Sequence, residues 1–301
     1  MMPLIAILAV FGGFMFMKLD LQESWTKIFL MIGLLVILIG IAGCFLIRDV
    51  AASDLSNRNY WKNVCYSFRP SVYRENKLLY KVVAAFAVFG ISIQIFMPYL
   101  ILYYEKALGM KNYVLIMAPA ILLASLITSA YGKLYDSVGF RLSVIPTVVT
   151  LMIGYAFLFF FRGTMLVFLG SLLMMTGYLT GMAVFGAMIR DNTPRTKTGL
   201  FQGLRIFGQV FIPGIVGPFI GARVLRHAKT VENQDGTTSF IPNQSIFLAA
   251  FIVAALLFLV LGEIFRMIRI SHYDTLTELG EEEQKNGQRE KYRGQFTHVH
   301  R

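Results

Sequence analysis

Charge is scarce in this sequence. Only 15% of its 301 residues are Asp, Glu, Lys or Arg, against roughly 25% in a soluble domain. With 56% hydrophobic residues and a mean hydropathy of +0.62, the chain has too little polar surface to cover a water-soluble globule. Acidic residues are the scarcer sign, 17 against 28 lysines and arginines. None lies deep within an apolar run; Glu263 is near the end of the last one and Glu105 is beside a loop. No run holds paired carboxylates, a histidine cluster or a nucleophile with its base, so no enzymatic activity is expected. Cys44 lies in an apolar run and Cys65 in a polar stretch, without CxxC spacing, which excludes a disulfide framework and a thiolate metal centre. The histidines, His227, His272, His298 and His300, fall in a loop and in the C-terminal tail, and no metal site is predicted. The N-terminus has no charged leader and no small-residue cleavage site before its apolar run, so it is expected to be a membrane span rather than a secretory signal.

What the chain has in quantity is apolar runs of bilayer length. A hydrocarbon core about 30 Å thick takes about 20 residues per helix, and eight runs approach or meet that: 2–17, 28–47, 82–104, 113–131, 142–161, 164–189, 199–222 and 246–267. The fold class is therefore an all-α membrane protein with eight transmembrane helices. The net charge of +11 is dispersed in short segments between the runs rather than gathered on one face, so no nucleic-acid partner is expected. Lysines and arginines divide nineteen to eight between the two sides. The richer side is made of 48–81, Lys133, Arg141, 190–197 and 266–301. Because such residues concentrate in cytoplasmic loops, this predicts a multi-pass protein of the cell membrane with both termini in the cytoplasm.

Segment 48–81 divides two runs from six and mixes Tyr60, Trp61, Tyr66, Phe68 and Tyr73 with basic residues, a composition suited to lying along the headgroups. Tyr103 and Tyr104, at the end of the third run, read as interfacial belt aromatics. Between the last two runs, Asp235 and Gly236 supply the left-handed conformations of a tight hairpin. The tail 268–301, with Glu281, Glu282 and Glu283 and no apolar period, reads as flexible.

The most unusual stretch is 190–221, RDNTPRTKTGLFQGLRIFGQVFIPGIVGPFIG, a basic loop that turns into an apolar helix with Arg205 inside it. An arginine at a bilayer centre costs about 2.5 to 3.5 kcal/mol on insertion scales, so it faces a watery path, a partner or a route to the headgroups. Gln202, Arg205 and Gln209 fall at i, i+3 and i+7 and share a face. Arg205 stands about 9 Å along the axis from Gly199, so a cavity and the headgroup route both stay open. Pro213 and Pro218 remove helix hydrogen bonds, and Gly199, Gly203, Gly214, Gly217 and Gly221 leave room for bending or for close packing. On the third run, Gln94 and Tyr99 flank Pro98 and are candidates for the same path.

The segment GKLYDSVGFR, 132–141, carries a motif. It resembles the loop signature of the major facilitator superfamily, in which Gly132, Leu134, Asp136, Gly139 and Arg141 stand in place while Ser137 and Phe140 replace basic residues, as in the second copy of that signature. The resemblance implies a conformational role for Gly132, Asp136, Gly139 and Arg141: glycines for a tight turn, and Asp136 accepting from Arg141 or a neighbouring helix end. The stretch 190–221 further resembles the glycoside, pentoside and hexuronide:cation symporters, the melibiose-carrier-like branch, at helices ten to eleven. On that resemblance the chain matches helices five to twelve of a twelve-helix fold and lacks the first four. Residues 1–47 would then be the last two helices of a first bundle, 48–81 the cytoplasmic linker, 82–267 a six-helix second bundle and 268–301 a cytoplasmic tail. It implies symport of a sugar or glycoside by alternating access, this chain being an incomplete form of the transporter, with Arg205, Gln209, Gln202, Gln94 and Tyr99 on the substrate path. Membrane lipid surrounds it, no cofactor is needed, and sodium or a proton is implied as coupling cation by the family alone. The other expectation that the residues leave open is a non-transporting eight-helix scaffold or sensor.

Overall fold

The computed structural model describes residues 21–46, 66–110, 112–194, 197–232 and 238–269. Away from water every backbone N–H must find its acceptor within its own segment, so uninterrupted apolar runs become helices. They are α1, Leu21–Leu46, then α2, Lys77–Ala107, α3, Val114–Phe160, α4, Thr164–Asn192, α5, Thr198–His227, and α6, Ser245–Arg269. The last five are long and apolar enough to cross a membrane. Helix α3, at 47 residues, is two helices joined at Gly139, whose φ of 76° and ψ of 179° break the helical backbone. The arms 114–138 and 140–160 take the places of the fourth and fifth predicted runs, so α2–α6 hold six helical arms, counting those two separately. The run 2–17 lies outside the described residues, and the predicted count of eight is not reached among them. A small antiparallel hairpin, β1 (Thr230–Glu232) and β2 (Thr238–Phe240), pairs Val231 with Ser239 and departs from the all-α expectation. It stands where Asp235 and Gly236 called for a hairpin, though those two residues fall outside the described set.

Steric fit fixes the order of the helices. A Cβ built on Gly177 of α4 would lie 2.6 Å from Leu151 Cα on the second arm of α3, and one on Gly170 would lie 2.9 Å from Phe157 Cβ. The pairs run in opposite sequence order, so these two helices are antiparallel. Helix α5 instead approaches α2 at Gly208 against Val83, Pro213 against Gly90, Gly217 against Gln94 and Gly221 against Tyr99, all in the same order, so α2 and α5 are parallel. This alternation gathers Lys81, Asp136, Arg141, Arg190, Lys197 and Glu263 at one end of the bundle, called here the basic end. There Lys81 bonds Glu263 at 2.6 Å, and Arg141 lies 5.7 Å above the Phe265 ring.

An aromatic column fills the centre. Phe86 stacks on Phe185 at 5.4 Å, Phe140 meets Phe185 edge-on at 5.6 Å, and Phe96 contacts both Tyr155 and Phe247. Tyr103 and Tyr104 belong to this core rather than to an interfacial belt. Both are fully buried; Tyr103 donates to the Leu158 carbonyl at 3.0 Å and Tyr104 to Ser171 Oγ at 2.5 Å. The π turn Tyr103–Ala107 follows the helix break at Met97–Tyr99, a short 3₁₀ turn that carries Pro98, and together they carry these rings inward.

Within the segment 48–81, Pro70–Glu75 is helical and α2 begins at Lys77. Tyr60 and Trp61 lie outside the described residues. Tyr66 docks on the start of α5, edge-on to Phe201 at 6.1 Å, and its hydroxyl accepts from Lys197 Nζ at 2.8 Å.

Candidate functional site

At the basic end, the last turn of α4 and the first two turns of α5 enclose a cavity of about 440 Å³. Arg190 borders it from α4, and Gln202 and Arg205 from α5. Ile189 and Phe201 form its apolar wall, and Thr193, Thr198 and Asp191 complete the rim. The spacing seen in the sequence explains why Gln202 and Arg205 share it: three residues along a helix return nearly to the same face. Gln209, one turn further, does not line the cavity but orients its main cation, accepting from Arg205 Nε at 3.3 Å. It sits in the π turn Phe207–Phe211, where the extra residue per turn loosens the backbone ladder. Gly186 of α4 faces the guanidinium, and a Cβ there would make only an ordinary contact with Arg205 Nη2, at 3.9 Å.

Asp191 is held on both sides. Its Oδ2 accepts from the Tyr135 hydroxyl at 3.0 Å and its Oδ1 from Arg190 Nε at 3.2 Å. Tyr135 belongs to the motif segment, so this bond ties the end of α4 to the first arm of α3. Arg190 also borders a second groove of about 240 Å³ with Tyr131, Gly132, Tyr135 and Asp136.

Within the motif, the glycine requirement falls on Gly139 alone, since its φ and ψ lie in a region open to glycine only. Gly132 is helical with open space around it. Tyr131 braces the break by donating to the Ser143 carbonyl at 2.7 Å. Asp136 is exposed, and Arg141 rests on Phe265 rather than on Asp136.

Gln94 and Tyr99 are not brought to the cavity. They pack against Gly217 and Gly221, and Gly217 stands twelve residues beyond Arg205, about 18 Å along the axis. Pro213 likewise serves α2–α5 packing, against Gly90. The residues that sequence reasoning passed over are Tyr135, Arg190 and Asp191. The adjacent Arg190, Asp191 and Asn192 just past an apolar run were visible, but the partner Tyr135 lies 56 residues away from Asp191. Among the described residues there is no group of three His, Cys, Asp or Glu that could hold a metal ion.

A sequence model of the Major Facilitator Superfamily matches residues 1–218, which is more than half of the chain and includes the kinked motif, α4 and the first part of α5. Comparison with curated proteins and with solved structures returned no match. The chain thus belongs to the Major Facilitator Superfamily, whose members are membrane transporters.

Proposed function

We propose that this chain moves a sugar or glycoside together with a cation across the cell membrane by alternating access. The observation that carries the reading is the polar stripe of α5: Gln202 and Arg205 border a cavity of about 440 Å³, and Gln209 holds Arg205 from inside a π turn. A charged side chain in a helix of this apolarity is expected on a watery path, and hydroxyl-rich substrates offer acceptors to a guanidinium and both partners to an amide. Gln94 and Tyr99, further along the α2–α5 seam, would meet the substrate nearer the opposite end. The six helical arms of α2–α6, covering the proposed bundle 82–267, move against a second bundle to which 1–47 contributes. The basic end faces the cytoplasm, with 48–81 as linker and 268–301 as tail. The break at Gly139, with Asp136 and Arg141 beside it, closes that side. The coupling ion, sodium or a proton, follows from the branch resemblance.

The test is uptake of a panel of radiolabelled glycosides into cells carrying the chain, with and without a sodium or proton gradient. Arg205→Ala is expected to lower gradient-driven uptake at least tenfold while the protein still reaches the membrane. Unchanged uptake would remove Arg205 from the path, and no uptake of any glycoside by the unaltered chain would refute sugar symport.

A further inference from the structure

The cavity at the basic end is electrically unbalanced. Two guanidinium groups, Arg190 and Arg205, border it with a single carboxylate, Asp191. Both oxygens of that carboxylate are engaged, one by Tyr135 and one by Arg190 Nε. Arg205 gives its Nε to Gln209, a neutral acceptor, at 3.3 Å. Among the described residues no carboxylate comes within 4.0 Å of it, the three ion pairs being Lys81–Glu263, Lys106–Glu105 and Arg190–Asp191. Arg205 is only partly exposed, so its charge is incompletely hydrated and its planar fork of terminal nitrogens is available for a bidentate partner. The amide of Gln202 stands on the same rim. The α5 helix begins at Thr198, also on the rim, so the positive end of its dipole adds to the same potential.

We propose that this cavity is an anion site: it takes one singly charged oxyanion, a carboxylate or a phosphate, on Arg205, with Arg190 and Gln202 as its flanking donors. One negative charge is what two arginines and one aspartate leave to be supplied. The oxyanion belongs either to a soluble molecule entering from the basic end or to an anionic lipid headgroup at the membrane edge. The site rests on the transport reading only in that the polar stripe of α5 meets water or headgroups; it does not require the transported molecule to be a sugar.

The experiment uses the full chain purified in neutral detergent. Its thermal midpoint is measured in sodium phosphate and in sodium chloride at matched ionic strength, for the unaltered chain, R205K and R205Q. In parallel, native mass spectrometry counts phosphatidylglycerol molecules retained after delipidation. Phosphate is expected to raise the midpoint of the unaltered chain by about 3 °C or more over chloride through ligand linkage, R205K to keep part of that rise, and R205Q to lose it. A lipid occupant is recognised when phosphatidylglycerol survives delipidation on the unaltered chain, is displaced by phosphate and is absent from R205Q. A soluble occupant is recognised when phosphate acts and no Arg205-dependent lipid is retained. The site is overturned if phosphate and chloride give the same midpoint and lipid retention does not depend on Arg205, or if R205Q responds to phosphate as fully as the unaltered chain. R205Q counts only where its midpoint in chloride shows it folded, and R205K supplies the comparison otherwise. Neither assay reads uptake. Anion binding without glycoside uptake would keep the site and sink sugar symport, whereas Arg205-dependent uptake without anion binding would do the reverse.

Discussion

A methyl group added at Gly177 should destabilise the protein, although glycine is a poor helix former. Replacing a mid-helix glycine by alanine gains about 0.8–1.0 kcal/mol of propensity. At Gly177 the new Cβ would sit 2.6 Å from the Cα, Cβ and N of Leu151, about 1 Å inside ordinary carbon contact. Two of those three atoms are backbone, so no rotamer change relieves the clash; the second arm of α3 and α4 must separate. Overpacking of this kind costs about 1–3 kcal/mol, and the backbone origin of the clash argues for the upper end, leaving a net loss of about 2 kcal/mol. Gly214 on α5 is the control, because nothing lies within 4 Å of its added Cβ and only the propensity gain remains. Gly177→Ala is therefore expected to lower the thermal midpoint in detergent by about 4–8 °C, and Gly214→Ala to leave it unchanged or slightly raised. If Gly177→Ala were as stable as Gly214→Ala, the tight seam between α3 and α4 would not be as described.

Two further substitutions probe the basic end. Gly139→Ala forces a side chain onto a backbone with φ 76° and ψ 179°, at a cost of about 1–3 kcal/mol, so its midpoint and uptake should fall, while Gly132→Ala, in open space, should preserve both; equal effects at the two positions would contradict the kink. Tyr135→Phe removes the hydroxyl that Asp191 accepts. A loss of about 1 kcal/mol, or fivefold in the equilibrium between closed and open ends, should speed alkylation of a cysteine introduced at Thr198, and an unchanged rate would mean that the bond closes nothing.

The runs of apolar residues were legible because bilayer thickness imposes one length on every span, and the break in α3 was legible because glycine alone tolerates its backbone. Tyr103 and Tyr104 were not. An aromatic pair at the end of a run has the same composition whether it anchors at the headgroups or enters the core, and the decision rests on Leu158 and Ser171, more than fifty residues away. The stripe of Gln202, Arg205 and Gln209 followed from helical periodicity, whereas the same reasoning at Gln94 and Tyr99 gave a face without its neighbour. That neighbour is a notched helix, and only tertiary packing reveals that Gly217 and Gly221 receive them. The tie between Tyr135 and Asp191 depends on two helix ends meeting, which no local pattern encodes.

Helix α5 is one helix by its backbone and two parts by its attachments. Beyond the π turn its notches are keyed to α2 at Gly90, Gln94 and Tyr99, so that half can neither slide nor rotate unless α2 goes with it. Before the π turn the contacts change hands: Phe201 meets Tyr66, and Lys197 reaches the Tyr66 hydroxyl. The segment around Tyr66 is therefore attached to the basic-end part of α5, with residues 207–211 at the boundary. The same helix thus answers to two partners, with Gln202 and Arg205 on the part that Tyr66 holds and the notched part keyed to α2.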